Sequence, residues 1–425
     1  SGATVDSDVL AAFIAQNDAG ANSKRRLTVG SAAVDYSNPS APFVKALVGF
    51  GGRSISIYRP GDSGLQLVWD SGSSLEKEQC AAYPWAHNGV QDEEFSLVHG
   101  VLYNSSSSSM QETLEEMNDP DEDGCADRGD GQPGPCPLGE TVDDRSPKDG
   151  AGPEAIVTGV ACGRLLAVTA TEKQGTAFVY DITDVASPQL LFVRHLSPAS
   201  QGLSPGLAYE SRELGEIDPE CMLFVDADSS PSGTAGVLFG GAWSGTMSLW
   251  EFECPSATPA PTPAPTPTAP TPAATPAPTP APTPAAPMLN FQTSTASSSG
   301  PVDFTLKSRV YVPYGAGEGF GYGMGAVEQF AYDPVEKYAY TVSEQGYVNV
   351  VDFVDPATPT VMAASLSIDL AGKKLTDVAV CAAQGLLFVA HGADDKTSPG
   401  AVRMYSTVQR SSPSQAPAFD REFTV

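Results

Sequence analysis

The sequence predicts an all-β protein, a β-propeller of about five to seven blades assembled from two chain segments. Three octapeptides support this prediction, because each follows a β-rich run and precedes another apolar strand: Asp35–Pro42, Asp181–Pro188 and Asp352–Pro359. A strand, an Asp/Pro turn and a second strand is the rhythm of a propeller blade. Helical periodicity is almost absent, so we expect strands through most of the chain.

The predicted organisation has three parts. Residues 1–254 hold the later blades, residues 255–299 form a Pro/Thr/Ala-rich linker, and residues 300–425 hold a closing strand and the first blades. Less regular blades are predicted at 206–254 and 376–425, where short apolar runs resemble strands. We therefore expect one core, built from both sides of the linker.

The linker is predicted to be a polyproline II rod, because proline at every second or third position removes most backbone N–H donors. At ~3.1 Å per residue it can reach about 100 Å. A bare flexible spacer is the alternative to a glycosylated rod. The candidate O-glycosylation sites are Thr258, Thr262, Thr266, Thr268, Thr271, Thr275, Thr279 and Thr283.

The net charge limits the classes of partner. Asp and Glu number 51 against 23 Lys and Arg, for a formal charge of −28. Such a chain repels nucleic acid and anionic membranes and suits divalent cations. No apolar run is long enough to span a bilayer, and Ser1 begins neither a basic region nor an apolar signal core. We expect a mature or internal segment of an extracellular protein, with no nucleic-acid partner and no membrane span.

Seven cysteines occur without a CxxC pair, so zinc ribbons and thioredoxin-like sites are poorly supported and disulfides are expected. Cys125 and Cys136 flank a Gly/Pro turn, and Cys221 and Cys254 flank one predicted blade. These are the two candidate pairs. Buried free thiols are the alternative, and the odd total leaves at least one thiol free or paired with another chain.

An acidic loop has the spacing of a calcium site. Counted from Asp119, Gly124 occupies position 6 of this loop. Carboxylates occupy positions 1, 3, 5, 9 and 12, which are Asp119, Asp121, Asp123, Asp127 and Asp130. Oxygen ligands at this spacing wrap Ca²⁺, and the glycine permits the sharp turn. The alternative is a solvated acidic loop.

A second surface feature is a glycosylation sequon. Asn104-Ser105-Ser106 matches the N-glycosylation pattern, whereas Asn38-Pro39-Ser40 is excluded by its proline. An occupied sequon agrees with a secreted protein. The alternative is an unmodified polar loop.

Several motifs together resemble the choice-of-anchor I propeller family, which includes the mesenchyme-specific cell-surface glycoproteins linked to biomineralisation. The motifs are Glu328–Pro334, Val348–Phe353, Asp394–Gly400, Arg53–Ile57, Asp144–Ser146, Gly152–Glu154 and Val179–Thr183. In that family the motifs found here after residue 325 come first, and those found before residue 255 come last. The resemblance therefore favours one period of a longer head-to-tail array. A circular permutant is the alternative.

Four acids fall near the starts of predicted inner strands: Glu328, Asp377, Asp8 and Glu154. In a propeller they would converge on the central channel as an acidic ring. The alternative is a set of polar residues that hydrate the channel mouth. Signatures of catalysis are otherwise thin, because the four histidines form no HExxH motif and no GxSxG elbow is present.

These observations favour a structural extracellular glycoprotein, the repeat unit of a head-to-tail glycosylated fibril, with Ca²⁺ as its cofactor. Its expected partners are further copies of itself and glycans. The alternatives are a calcium-dependent phosphatase-like enzyme, which the family resemblance suggests, and a calcium-dependent adhesion or mineral-binding module.

Overall fold

The structure is a computed structural model that describes most of the chain outside the linker and the region before residue 52. The described residues are 52–62, 64–89, 137–143, 145–146, 150–203, 205–254, 302–315, 319–363, 366–370, 372–393 and 398–424, with the backbone of five two-residue strands before residue 103. Within these ranges the chain is mostly β, in several antiparallel sheets of which none closes on itself. The arrangement is propeller-like, and the number of blades stays a prediction.

The described residues before 103 form small sheets and one helix. β3 is the middle strand of a three-stranded sheet with β1 and β2, β4 pairs with β5, and β6 pairs with β7. The bounds are β1 Thr4–Val5, β2 Val34–Asp35, β3 Phe43–Val44, β4 Ser56–Gly61, β5 Gly64–Asp70, α1 Ser74–Ala82, β6 Phe95–Ser96 and β7 Val101–Leu102.

Four larger sheets follow, and in each the main strands lie in chain order, as in a propeller blade. The first sheet is β8 Pro153–Ala161, β9 Arg164–Thr171, β10 Thr176–Asp181 and β11 Gln189–His195. After α2 (Pro205–Glu210), the second sheet is β12 Cys221–Val225, β13 Gly236–Gly241, β14 Thr246–Glu253 and β15 Asp303–Tyr311. The third is β16 Gln329–Asp333, β17 Tyr338–Val342, β18 Tyr347–Asp352 and β19 Thr360–Val361, with β20 Ile368–Asp369 also paired to β18. The fourth is β21 Leu375–Cys381, β22 Leu386–His391, β23 Ala401–Ser406 and β24 Phe419–Thr424.

The three octapeptides connect strands that pair in one register. In each, the first Asp lies opposite the residue eight positions later in an antiparallel pair: Asp35 opposite Phe43, Asp181 opposite Gln189, and Asp352 opposite Thr360. In the second and third turns, both aspartates accept a hydrogen bond from the backbone N–H two residues later. Aspartate favours turns through this bond, so the second and third predicted turns are confirmed. Residues 36–42 of the first lie outside the described residues.

The four sheets pack face to face in chain order, and β4, β5 and α1 cover the free face of the first sheet. Separate apolar clusters fill the spaces between first and second, second and third, and third and fourth sheets. A further cluster joins Ile57, Trp69 and Leu75 to Phe178 and Tyr180. The described residues therefore form a stack of sheets, with the β4–β5 hairpin at one end and the fourth sheet at the other.

The first strands of neighbouring sheets lie side by side, β8 against β12 and β16 against β21. Gly159 in β8 permits the first of these approaches, because a Cβ atom there would lie 2.0 Å from Cδ1 of Phe224 in β12. Any larger residue would push the two strands apart. This convergence places the beginnings of the first strands close together.

The Pro-rich tract leaves and re-enters the same sheet. Antiparallel pairing sets Glu253, at the end of β14, opposite Asp303, at the start of β15. A buried ion pair secures the returning strand: Arg309 Nε lies 2.7 Å from Glu216 Oε1, and Arg309 Nη2 lies 2.9 Å from Glu216 Oε2. The same Nη2 donates to the Leu196 carbonyl oxygen. Residues from both sides of the tract therefore build one sheet.

The disulfide pairing corrects one prediction. Cys254 is bonded to Cys162, in the turn between β8 and β9, and not to Cys221. Cys221 begins β12, and β13 separates that strand from β14. Strands two places apart lie about 9 Å from each other, beyond the reach of a disulfide. The Cys162–Cys254 bond instead ties the start of the tract to the first sheet. Cys125 and Cys136 lie outside the described residues.

Helix α1 was not expected from the sequence. Tertiary contacts hold it on the first sheet, where Leu75 is buried, Ser74 Oγ lies 2.7 Å from Tyr180 Oη, and Gln79 Nε2 donates to Thr176 Oγ1 at 2.8 Å. Neither α1 nor α2, the helices of the described residues, has the length and apolar character needed to cross a membrane.

Because Glu216 is fully buried, removal of its partner leaves an unpaired charge in the interior. Arg309→Ala is expected to lower the free energy of unfolding, measured by urea denaturation, by about 3–5 kcal/mol. The double variant Arg309→Met/Glu216→Leu removes both charges and is expected to recover much of this loss. Arg421→Ala, at an exposed pair, is the control and should leave the urea midpoint almost unchanged. Equal losses in the single and double variants would contradict the role assigned to the pair.

Candidate functional site

Each of the four larger sheets contributes an acid at the beginning of its first strand. Glu154 is the second residue of β8, Glu220 directly precedes β12, Glu328 directly precedes β16, and Asp377 is the third residue of β21. Because the first strands run side by side, these acids lie along one side of the stack. Asp218, before β12, joins them.

Four of these carboxylates form what we call the carboxylate cluster: Glu154, Asp218, Glu220 and Glu328. One oxygen atom from each of Glu154, Asp218 and Glu220 lies within 4.8 Å of the others. Glu328 extends the group by a hydrogen bond between its side chain and that of Glu220. Three different sheets therefore supply one compact set of oxygen atoms.

The backbone holds Asp218 in an uncommon conformation. Its φ of 57° lies in the left-handed region, which costs a non-glycine residue on the order of 1 kcal/mol or more. Its carbonyl oxygen accepts hydrogen bonds from the N–H groups of Glu220 and Ala242, at 2.9 and 3.0 Å. These bonds tie the backbone of the buried Asp218 to the start of β12 and the end of β13, beside its carboxylate neighbours.

Burial and mutual repulsion raise the pKa values in the cluster. Desolvation, followed by the charge of Glu328, raises the pKa of Glu220 to about 8. Desolvation, followed by the charges of Glu344 and Asp218, raises the pKa of Glu328 to about 7, against a smaller opposing effect of Lys374. Near neutral pH the hydrogen bond between Glu220 and Glu328 is therefore one between a carboxylic acid and a carboxylate.

The cluster has the chemistry of a hard-cation site. Carboxylate oxygens are the ligands that Ca²⁺ and Mg²⁺ take in proteins, and a divalent cation would replace the shared proton as the source of charge balance. Glu154, Asp218 and Glu220 are the residues able to hold such an ion together.

The predicted site residues fall into three groups. Glu154 and Glu328 join the cluster, and Asp377 is close enough for its charge to help raise the pKa of the Cys221 thiol. Burial is the main cause of that rise, to about 12, so Cys221 stays protonated and weakly nucleophilic. The rest lie outside the described residues and stay predictions: Asp8, the calcium-loop aspartates from Asp119 to Asp130, Asn104 and the threonines of the tract.

The sequence analysis missed Asp218 and Glu220. One signal was available, because Glu220 stands directly before the first strand of its sheet, as Glu328 does before β16. Alignment of the two predicted blades at these strands places Glu220 at the position of Glu328, which makes it a candidate site residue. Asp218 has no such signal, since a left-handed residue two positions earlier brings it into the cluster.

Comparison with known proteins supports the predicted family resemblance. A family model described as the choice-of-anchor I domain matches residues 2–113 and 328–419, together slightly less than half of the chain. The match supports a choice-of-anchor I-like domain and suggests an association with the cell surface. No curated protein matches.

Two solved structures are distantly similar. A protein from Lactobacillus plantarum has a TM-score of 0.35 and 12% identity over 65% of this chain and 58% of its own. Sqt1 from Chaetomium thermophilum has a TM-score of 0.31 and 17% identity over 63% of this chain and 50% of its own. The chain thus spans about half of each, and these TM-scores do not establish a shared fold.

The raised pKa values predict a pH dependence of stability. Glutamates with folded pKa values of about 7 and 8, against an ordinary value of 4.5, stabilise the protein at low pH, and this stabilisation is lost as the pH rises through those values. In metal-free buffer the urea midpoint is expected to fall between pH 6.5 and 8. Glu220→Gln should remove roughly half of that slope, because one of the two raised carboxyl groups is gone.

The pH window avoids an opposite effect from His195. Burial lowers the pKa of His195 to about 3, so this residue destabilises the folded protein only as the pH falls below its ordinary value of 6.5. Glu210→Gln, at an exposed position of α2, is the matched control and should keep the wild-type slope. A slope equal in the wild type and Glu220→Gln would contradict the assignment.

Proposed function

We propose that the chain is a structural glycoprotein of the cell surface whose sheet stacks join head to tail into a filament. The observation that carries this proposal is that both ends of the stack expose apolar sheet faces. The choice-of-anchor match supports the cell-surface location. The glycans are proposed for the Thr residues of the tract and for Asn104.

The first exposed face lies on the β4–β5 hairpin. Tyr58 is paired with Leu67 and Pro60 with Leu65, which places these side chains in two neighbouring rows. Tyr58, Leu65 and Leu67 are 51%, 69% and 59% exposed. The opposite face of the hairpin, with Ile57 and Trp69, packs on the first sheet.

The second exposed face lies on the fourth sheet, on the side turned away from the third. The pairing register sets two rows of side chains on it, and the apolar members are half-buried or exposed. These apolar residues are Ala379, Phe388, Ala390, Val402, Met404 and Phe423. Strand β24 adds an open edge, with every described side chain exposed.

A filament would form if the β4–β5 face of one molecule contacts the fourth-sheet face of the next. The faces differ in sequence and shape, so their contact is heterologous, and a heterologous contact that does not close into a ring produces an open assembly. Burial of the aromatic and aliphatic rows supplies the driving force. The open edge of β24 offers backbone groups for strand pairing as well.

The tract is suited to display on such a filament. Its two ends are opposed across a single strand pair, so the tract begins and ends at the second sheet and does not separate two bodies. The Cys162–Cys254 disulfide anchors one end, and Arg194, whose Nη2 lies 3.4 Å from Asp303 Oδ1, supports the other. We infer that glycans on its threonines would coat the outside of the filament.

Two blocking variants test the head-to-tail contact. Leu67→Asp places a charge on the β4–β5 face, and Phe423→Asp places one on the β21–β24 face. The wild type is expected to form linear oligomers with increasing concentration, measured by sedimentation velocity and negative-stain electron microscopy. Each variant alone should associate at least about tenfold more weakly, because a charge buried without a partner is costly. An equimolar mixture of the two should stop at dimers, since each molecule keeps one intact face.

The control is Val335→Asp, an exposed apolar position in the turn between β16 and β17, outside both faces. It should oligomerise as the wild type does. Long oligomers in the mixture would contradict a head-to-tail contact, and a wild type that stays monomeric at all concentrations would contradict assembly through these faces.

The carboxylate cluster supports a second candidate function, a calcium-dependent one, as a phosphatase-like enzyme or an adhesion module. In chelator-treated protein, Glu154→Gln and Glu328→Gln are expected to weaken Ca²⁺ binding at the cluster at least about tenfold, measured by calorimetry, because they remove charged oxygen ligands. Asp121→Asn distinguishes Ca²⁺ binding at the predicted calcium loop from binding at the cluster. Glu210→Gln is the control and should bind Ca²⁺ as the wild type does. Calcium-dependent hydrolysis of p-nitrophenyl phosphate that the two cluster variants abolish would favour the enzyme; unchanged Ca²⁺ binding in both variants would exclude the cluster.

A further inference from the structure

An arginine lies among three aromatic rings at the end of the second sheet that is opposite the root of the tract. The Arg212 guanidinium carbon is 4.4 Å from the ring centroid of Tyr311, 5.2 Å from that of Phe320 and 5.3 Å from that of Tyr209. The rings of Tyr209 and Tyr311 meet edge to face with centroids 5.1 Å apart. We call Tyr209, Arg212, Tyr311 and Phe320 the aromatic platform.

Several contacts fix the platform before any ligand binds. Tyr209 belongs to α2 and Tyr311 ends β15, while the Tyr311 hydroxyl donates to the Leu214 carbonyl oxygen at 2.7 Å. Arg212 has a φ of 61°, and its N–H donates to the Tyr209 carbonyl oxygen at 3.0 Å. The left-handed backbone turns its side chain back over the rings. Such preorganisation lowers the entropy that binding must cost.

Three members of the platform reach solvent, whereas Tyr209 is buried at 4% exposure. Phe320 is 36% exposed, Arg212 is exposed, and Tyr311 is half-buried. Leu207, 55% exposed, extends the apolar area on the side of α2, and the half-buried Trp243 packs against the same cluster. Burial raises the pKa of Tyr209 to about 12, so its ring stays uncharged at all ordinary pH values. The surface combines fixed rings, an aliphatic neighbour and one cation.

We propose that the aromatic platform binds a polyproline II segment, and that its occupant is the chain's own Pro255–Pro287 tract. Proline-rich helices dock into aromatic-lined surfaces, because their rings pack flat on aromatic faces and their preformed backbone loses little entropy. The arginine donates to the backbone carbonyl oxygens that a polyproline helix leaves without partners. This inference does not depend on head-to-tail assembly.

The length of the tract permits this contact. The tract is rooted at Glu253 and Asp303, and Tyr311 stands at the other end of β15, roughly 27 Å away at ~3.4 Å per strand residue. A polyproline tract that leaves and returns to the same root can extend on the order of 50 Å at ~3.1 Å per residue. The tract can therefore lie along the second sheet and cross the platform.

The test uses a synthetic peptide of residues 258–284 and two forms of the full chain. In one form, residues 255–300 are replaced by a Gly/Ser sequence of equal length, which frees the platform. This form is expected to bind the peptide in calorimetry. The unaltered chain should bind it at least about tenfold more weakly, because the tethered tract competes at an effective concentration in the millimolar range.

Variants of the Gly/Ser form identify the surface. Phe320→Ala and Arg212→Ala should each weaken peptide binding at least about tenfold, whereas the control Phe419→Ala, at an exposed aromatic position of β24, should not. Circular dichroism checks that each variant is folded. Failure of the Gly/Ser form to bind, or equal binding by all variants, overturns the platform as the site. If the unaltered chain binds the peptide as tightly as the Gly/Ser form does, the tract is not the occupant. If the Gly/Ser form binds cello-oligosaccharides and not the peptide, the platform is a glycan-binding surface and the proposal is overturned.

Discussion

The pairing of β14 with β15 is the constraint on which the rest of the structure depends. It closes the long excursion of the Pro-rich tract, completes the second sheet and supplies the faces on which the first and third sheets pack. Arg309 makes the register of this pairing specific. Its guanidinium group donates hydrogen bonds to both the buried Glu216 carboxylate and the Leu196 carbonyl oxygen. A returning strand in another register would leave Glu216 buried without a partner.

That constraint also determines the chemistry along the side of the stack where the first strands begin. Once the sheets pack in chain order, their first strands converge, and the acids before those strands approach one another against their mutual repulsion. The apolar clusters between the sheets supply the free energy that offsets this repulsion. A cluster of carboxylates kept together at such a cost is typical of functional sites, and it makes charge balance, by proton or by cation, part of the folded state.

Particular residues show how far sequence reasoning extends. The octapeptide turns were predictable because an Asp side chain bonds to the backbone two residues later, which is a local interaction. Glu154 and Glu328 were predictable as acids near the starts of inner strands. Asp218, Glu220 and the Cys162–Cys254 bond were not, because each requires knowledge of which strands are neighbours. Helix α1 also depends on its contacts with the first sheet, since its own periodicity is weak.

The sequence by itself determined the all-β class, the second and third octapeptide turns and the acidic character of the protein. These follow from strand periodicity, from hydrogen bonds between near neighbours and from composition. Only the tertiary structure decided which cysteine meets Cys254, which carboxylates gather into a cluster and which apolar side chains remain exposed at the ends of the stack. Those outcomes depend on packing between sheets, where residues far apart in the chain become neighbours and local patterns carry no information about distance.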